Sequence, residues 1–106
     1  MAQFDVHPNN WKHADSIPYV VVVQSGIFDG YGRRVVVPLV KASAVGAIAN
    51  PRFNPTFKIA KTSVVLHPLE IVSVASDDLG KPVASLATEG SRIIGALDEL
   101  LSRAWG

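Results

Sequence analysis

Short runs of β-branched residues fill most of the chain up to residue 86, and they constrain the fold more than any other feature. The chain contains fifteen Val and seven Ile residues, and such residues favour β-strands. Pro, Gly, Asn and Asp, the residues typical of turns, interrupt the runs at intervals. The sequence therefore predicts a mainly β fold made of several short strands.

The predicted strands follow one another closely. They span residues 3–7, 19–24, 34–39, 56–60, 62–66, 71–75 and 82–86, with a loop over 26–32. We expect the third strand to end at or just after Pro38, because proline suits a strand end or edge and not a central position. The Ala-rich segment 42–50 fits either a short helix or a loop.

The period of the apolar residues changes near the end of the sequence. One helical stripe is formed by Ile93, Ile94, Leu97, Leu100, Leu101 and Ala104. We expect Thr88 or Ser91 to cap this helix, and the helix to end near Arg103. Gly95 lies inside the helix, where it would allow close packing against a neighbour.

Composition sets the size and class of the protein. A chain of 106 residues and 11.3 kDa has room for one compact domain, which we expect to span residues 1–106. The absence of Cys excludes disulfides and thiolate metal sites. The net charge of +1 comes from scattered basic residues and argues against broad, charge-driven binding of nucleic acid. Because 48% of residues are hydrophobic and 18% are charged, we expect a partner or a second copy to cover part of the surface.

The apolar runs are too short to span a membrane, and no basic segment followed by an apolar one starts the chain. We therefore expect a cytoplasmic protein without a membrane partner.

Residue patterns of catalytic sites are mostly missing. His7, His13 and His67 share no metal-ligand spacing, and the pair Asp77-Asp78 precedes Leu-Gly as in a solvated turn. No glycine-rich phosphate loop or nucleophile motif occurs. The sequence predicts a binding protein with no catalytic residue, metal or cofactor.

Two apolar features suggest contact with a partner. Ile27 and Phe28 lie in the predicted loop beside Tyr31. They either fold back as a plug onto the core or anchor a partner, since exposed aromatic residues often serve as binding hot spots. Trp105, in the penultimate position, either packs against the sheet or a second copy, or belongs to a recognition tail.

Four segments resemble the CcdB family, the toxins of type II toxin–antitoxin modules that poison DNA gyrase. The segments are Gln3-Phe4-Asp5-Val6, residues 19–25, Gly32-Arg33-Arg34-Val35-Val36-Val37-Pro38-Leu39 and residues 79–86 before the terminal helix. The third is the most specific, because it is similar to the family's Gly-Arg-Arg-aliphatic-Pro-Leu signature. Their order and spacing extend the resemblance over nearly the whole chain.

The resemblance implies a fold and a function. The fold is an antiparallel, SH3-like, partly open barrel with a small side sheet and a C-terminal helix. The function is that of a homodimeric, non-enzymatic toxin that binds the DNA gyrase A subunit and traps the DNA cleavage complex. A cognate antitoxin neutralises such toxins, and DNA is contacted only through gyrase or an antitoxin complex.

The resemblance also implies site residues. Ser25, Ile27 and Phe28 match the gyrase-binding loop of the family. At the helix end, an alignment on the terminal Trp-Gly assigns the contact to Trp105 and Gly106. An alignment on helix register instead places Asp98 at a contacting position, with Leu101 of the apolar stripe as a further gyrase-binding residue. Ser102-Arg103-Ala104 then match the family's terminal Trp-Gly-Ile, and Trp105 lies beyond them.

Arg33 and Arg34 are the candidates for binding an acidic segment of the antitoxin, because arginine binds carboxylates through two hydrogen bonds. Neighbouring side chains of a strand point to opposite faces, so at most one of the two can join a given site. The simpler interpretation is that one of them pairs with a carboxylate such as Asp29 and the other is solvated.

Two alternatives to gyrase poisoning stay open. One is a CcdB-like fold that has lost gyrase binding and acts as an antitoxin-binding or regulatory module. The other is an RNA-cleaving toxin, which would need an acid–base pair that the sequence does not place.

Overall fold

The computed structural model describes residues 2–102 of the chain. The strands are β1 (Asp5–Pro8), β2 (Tyr19–Val22), β3 (Arg33–Lys41), β4 (Thr56–Ile59), β5 (Thr62–Leu66), β6 (Val72–Ala75) and β7 (Ala84–Ser85). The helices are α1 (Ala42–Val45) and α2 (Gly90–Leu101). Single 3-10 turns span Gly26–Phe28, Pro68–Glu70, Ser76–Asp78 and Ala87–Glu89. The predicted strands are confirmed, with ends that differ by at most two residues.

The strands form one mostly antiparallel, nearly closed, barrel-like sheet, and α2 follows it, as expected. The strand order is β4-β5-β3-β2-β1-β7, and β6 also pairs with β3. The hairpin of β4 and β5 forms a small side sheet that continues the main one through the last residues of β3.

The long strand β3 organises the sheet, because three strands pair with it. Its first four residues pair with β6 and its last three with β5. Val36 pairs with both Val22 and Val72, and Leu39 pairs with both Tyr19 and Leu66. Therefore β6 and β5 lie one after the other along the same edge of β3, and β2 lies along the opposite edge.

Pro38 lies inside β3 opposite Val20, so the prediction that the strand ends at this proline was wrong. The Pro38 carbonyl accepts a hydrogen bond from the His67 N–H (3.1 Å), which places it on the edge that faces β5 and β6. The missing N–H of Pro38 faces the same edge, in the gap between the two strands. No ladder hydrogen bond is lost there, and the proline is tolerated in a central strand.

The hydrophobic core lies between one face of the sheet and α2. It is built by Val6, Val21, Val23, Val37, Leu39, Phe57, Ile59, Val64, Leu66, Leu86, Ile93 and Ala96. A smaller cluster of Val20, Val22, Val36 and Leu79 covers the other face. The predicted helical stripe is buried only in part, because Ile94 and Leu101 are exposed.

The start of α2 differs from the prediction. Neither Thr88 nor Ser91 caps the helix through its side chain, since the 3-10 turn Ala87–Glu89 leads directly into it. The helix ends at Leu101 with Ser102 as the following residue. The close packing predicted at Gly95 is absent, since nothing lies within 4 Å of a Cβ added there. It occurs at Gly90, where an added Cβ would lie 2.6 Å from Cε2 of Phe4.

No helix in residues 2–102 has both the length and the apolar character needed to cross a membrane.

Candidate functional site

Large apolar side chains are exposed together on the turn Gly26–Phe28 and at the nearby Tyr31. Ile27 is 81% exposed, Phe28 46% and Tyr31 68%. The rings of Phe28 and Tyr31 meet edge to face with 5.9 Å between their centroids. The interpretation of Ile27 and Phe28 as a plug on the core is therefore wrong, and the interpretation as an anchor for a partner stays a prediction.

The buried side chain of Arg34 fixes the backbone of the loop that carries Ile27, Phe28 and Tyr31. It is 6% exposed, and its guanidinium donates hydrogen bonds to the backbone carbonyls of Tyr31 (2.8 Å), Asp29 (2.9 Å) and Arg33 (2.9 Å). Its Nε lies 3.7 Å from the Asp29 carboxylate. A buried cation is stable only with such partners, so the loop and the guanidinium hold each other in place.

Gln24 fixes the loop from the side of β2. Its amide Nε2 donates to the carbonyls of Arg33 (3.1 Å) and Phe28 (3.3 Å), and its Oε1 accepts from the Val35 N–H (2.9 Å). The Ser25 hydroxyl accepts from the Ile27 N–H (3.4 Å) at the start of the turn. Together with Arg34, these bonds hold the backbone that carries the apolar side chains.

A shallow apolar depression lies beside the cluster. It is lined by Val23, Gln24, Ser25, Phe28, Tyr31, Arg33 and Val35. Apolar concave surface next to protruding aromatic residues is typical of the central region of a protein–protein interface.

The predicted residues of the helix end lie on α2 and are exposed. Asp98 is exposed and Leu101 is 74% exposed. Among the side-chain hydrogen bonds and ion pairs of residues 2–102, none joins them to Ser25, Ile27 or Phe28. Trp105 and Gly106 lie outside the described residues, so both alignments of the helix end stay open.

Arg33 and Arg34 point to opposite faces of β3, and the expected pairing with Asp29 is confirmed for Arg34. Arg33 is exposed and donates to the Ser73 hydroxyl (2.8 Å) and the Ser73 carbonyl (2.7 Å). The assignment of both arginines to antitoxin binding stays a prediction, and the burial of Arg34 favours Arg33 as the residue that a partner can reach.

The structural roles of Gln24, Tyr31 and the buried Arg34 were not predicted from the sequence. Gln24 had a usable signal, because it is the first polar residue after a buried apolar run and precedes a turn. No sequence pattern predicts that the Arg34 side chain points inward, because strand alternation does not say which of two adjacent arginines faces the loop.

Within residues 2–102, no group of three His, Asp or Glu side chains is placed to hold a metal ion. His7 is fully buried with its Nδ1 2.8 Å from the Gly80 carbonyl, in the body of the sheet and away from the loop.

Comparison with known proteins adds one match. A family model described as CcdB protein matches residues 3–102 of the chain. No curated protein matches it.

Proposed function

The chain belongs to the CcdB family, because the family model covers nearly all of it, and on this premise we propose that it is the toxin of a type II toxin–antitoxin module. The toxin binds the DNA gyrase A subunit and traps the complex in which DNA is cleaved. It acts in the cytoplasm by binding alone, without a catalytic residue or cofactor of its own.

The observation that carries this proposal is the exposure of Ile27 and Phe28 on a turn that hydrogen bonds from Arg34 and Gln24 hold in place. Ile27 is 81% exposed, and its burial by a partner would lower the free energy of the complex through the hydrophobic effect. Because Arg34 and Gln24 already fix the turn, little conformational entropy is lost on binding. The surface is thus suited to a protein partner.

We further propose that the chain acts as a homodimer and that an antitoxin removes it from gyrase. Large apolar side chains are also exposed outside the loop, among them Leu69, Ile94 and Leu101. Such apolar surface supports more than one protein contact. Sedimentation of the purified chain at several concentrations tests the dimer.

The experiment that tests gyrase poisoning is a supercoiling assay with gyrase from the protein's own source. The reaction is stopped with denaturant, and the linear DNA released from trapped gyrase is measured. We expect linear DNA in proportion to the added protein. Absence of both linear DNA and inhibition would contradict the proposal, and retention of an antitoxin in the same preparation would then favour the antitoxin-binding module.

A further inference from the structure

The outer edge of β6 is open to solvent. Within residues 2–102, β6 pairs with β3 alone, along one of its two edges. Val72 is 47% exposed, Ile71 is 38% exposed and Ser73 is also exposed. The strand has the sequence Val-Ser-Val-Ala, with no charge and no proline to block pairing. An open edge of this composition can accept another strand.

The hydrogen bonds of Val35 show which backbone groups of β6 point outward. The Val35 carbonyl accepts from the Val23 N–H, and the Val35 N–H donates to Gln24, so both groups of Val35 face β2. Ser73 lies opposite Val35. In an antiparallel ladder this makes Val35 and Ser73 a non-hydrogen-bonded pair. The N–H and C=O of Ser73 therefore point away from β3, toward the open edge.

Arg33 reaches this open edge at one residue, Ser73. Its guanidinium extends along β6 and donates to the outward carbonyl of Ser73 and to the Ser73 hydroxyl. Arg33 is exposed and pairs with no carboxylate among the described residues. A carboxylate of a partner could pair with the guanidinium in place of Ser73. The Ser73 carbonyl could then accept a hydrogen bond from a backbone N–H of the partner.

Alternation along β6 defines the partner's side chains. Ser73 and Ala75 share the face of Arg33, while Val72 and Val74 face the other way. Val72 and Val74 line an apolar depression with Trp11 and Pro38. A strand added to β6 would place the side chains opposite Val72 and Val74 over this depression, and these should be aliphatic. The side chain between them, opposite Ser73, would lie on the face of Arg33 and should be acidic.

We propose that the open edge of β6 binds an extended segment of the antitoxin as an added antiparallel strand, with an aliphatic–acidic–aliphatic pattern centred opposite Ser73 and its single carboxylate on Arg33. The antitoxin as the source rests on the proposed function. Glu70 precedes the strand and Asp77 follows it, so we expect the ends of the bound segment to be neutral or basic.

The test uses the full chain and a capped peptide, Lys-Thr-Val-Glu-Val-Thr-Lys, with a second peptide in which Gln replaces Glu. Binding is measured from backbone amide shifts in NMR titrations. We expect the Glu peptide to shift the amides of Ser73 and Ala75, to slow their exchange with solvent, and to bind about tenfold more tightly than the Gln peptide. In Arg33→Ala, the two peptides should bind equally.

Ser73→Pro and Ser73→Ala form a matched pair at the edge. Ser73→Pro removes the outward N–H, and an edge position whose N–H faces solvent tolerates proline. Ser73→Ala removes the hydroxyl and keeps the N–H. We expect Ser73→Pro to weaken peptide binding at least tenfold and Ser73→Ala to weaken it less than threefold, with unfolding curves confirming that both variants fold.

Equal binding by the two Ser73 variants would overturn the proposal, as would shifts confined to another surface. Self-association that is lost only in Ser73→Pro, without peptide binding, would show that a second copy occupies the edge instead. The peptide readout does not depend on gyrase. A wild-type protein that releases no linear DNA would therefore contradict the proposed function while leaving the edge test intact.

Discussion

The guanidinium of Arg34 lies beneath the turn that carries Ile27 and Phe28, and the shape of that turn depends on it. Three backbone carbonyls accept hydrogen bonds from this one side chain. A lysine has a single ammonium group and cannot reproduce the planar arrangement of donors. The residue is thus a structural support of the surface that carries Ile27 and Phe28.

We expect Arg34→Lys to lower the free energy of unfolding by about 3 kcal/mol, because a lysine ammonium cannot donate to all three backbone carbonyls that the buried guanidinium bonds. Urea unfolding measures this change. The control is Arg33→Lys, on the exposed face of β3, for which we expect a change within about 0.5 kcal/mol. Equal losses in the two variants would show that Arg34 does not hold the loop.

Phe28→Ala separates binding from stability. Because Phe28 is 46% exposed, we expect its loss to change the free energy of unfolding by less than about 1 kcal/mol and to abolish growth inhibition. The matched control is Val83→Ala, which truncates a side chain that is 55% exposed elsewhere on the surface and should stay toxic.

We expect Trp105→Ala to abolish growth inhibition as well. Full toxicity of both Phe28→Ala and Trp105→Ala would contradict the assigned surface.

At the scale of elements, two glycines of α2 have opposite surroundings. Gly90 begins the helix against the ring of Phe4, and Gly95 faces open space. Phe4 has a φ of 70°, an unusual conformation for a residue with a side chain. The start of α2 and the residue before β1 therefore fit together closely.

We expect Gly95→Ala to raise the free energy of unfolding by up to about 1 kcal/mol, since alanine favours helix more than glycine does. Gly90→Ala should lower it, because its Cβ would overlap the ring of Phe4. Thermal or urea unfolding of both variants tests the pair. A stabilising Gly90→Ala would contradict the close packing.

The sequence predicted elements better than their ends. Valine-rich runs identified the strands because burial and β-propensity coincide in them. Pro38 misled the prediction, because its tolerance depends on a gap between β6 and β5 that only the folded sheet contains. The cap of α2 was missed for a similar reason, since a 3-10 turn replaces the side-chain cap. Ile27 and Phe28 were found as candidates, but their exposure depends on the inward direction of Arg34.

At the scale of the whole molecule, distant parts of the chain meet in the sheet. β1 pairs with β7, and His7 bonds to the carbonyl of Gly80, 73 residues away. Forming such a pair costs conformational entropy, because the long stretch of chain between the two residues must close into a loop. The fold is therefore assembled largely from contacts that are remote in sequence.

We expect the chain to refold on the millisecond-to-second timescale, as is usual for small proteins dominated by non-local strand pairs. Stopped-flow fluorescence after dilution from urea measures the rate. The control is the same measurement at several protein concentrations, which separates folding from association. Refolding within microseconds would contradict this reading of the topology.

The pairing of β3 with three other strands has a consequence for how this protein can evolve. Every residue from Val36 to Leu39 has a fixed partner in β2, and both ends of β3 are paired on the opposite edge as well. Inserting one residue would exchange the two faces of the strand, moving Val37 out of one core and Val36 out of the other. Changes in length are therefore confined to connections such as residues 46–55, while β3 can vary only by substitution.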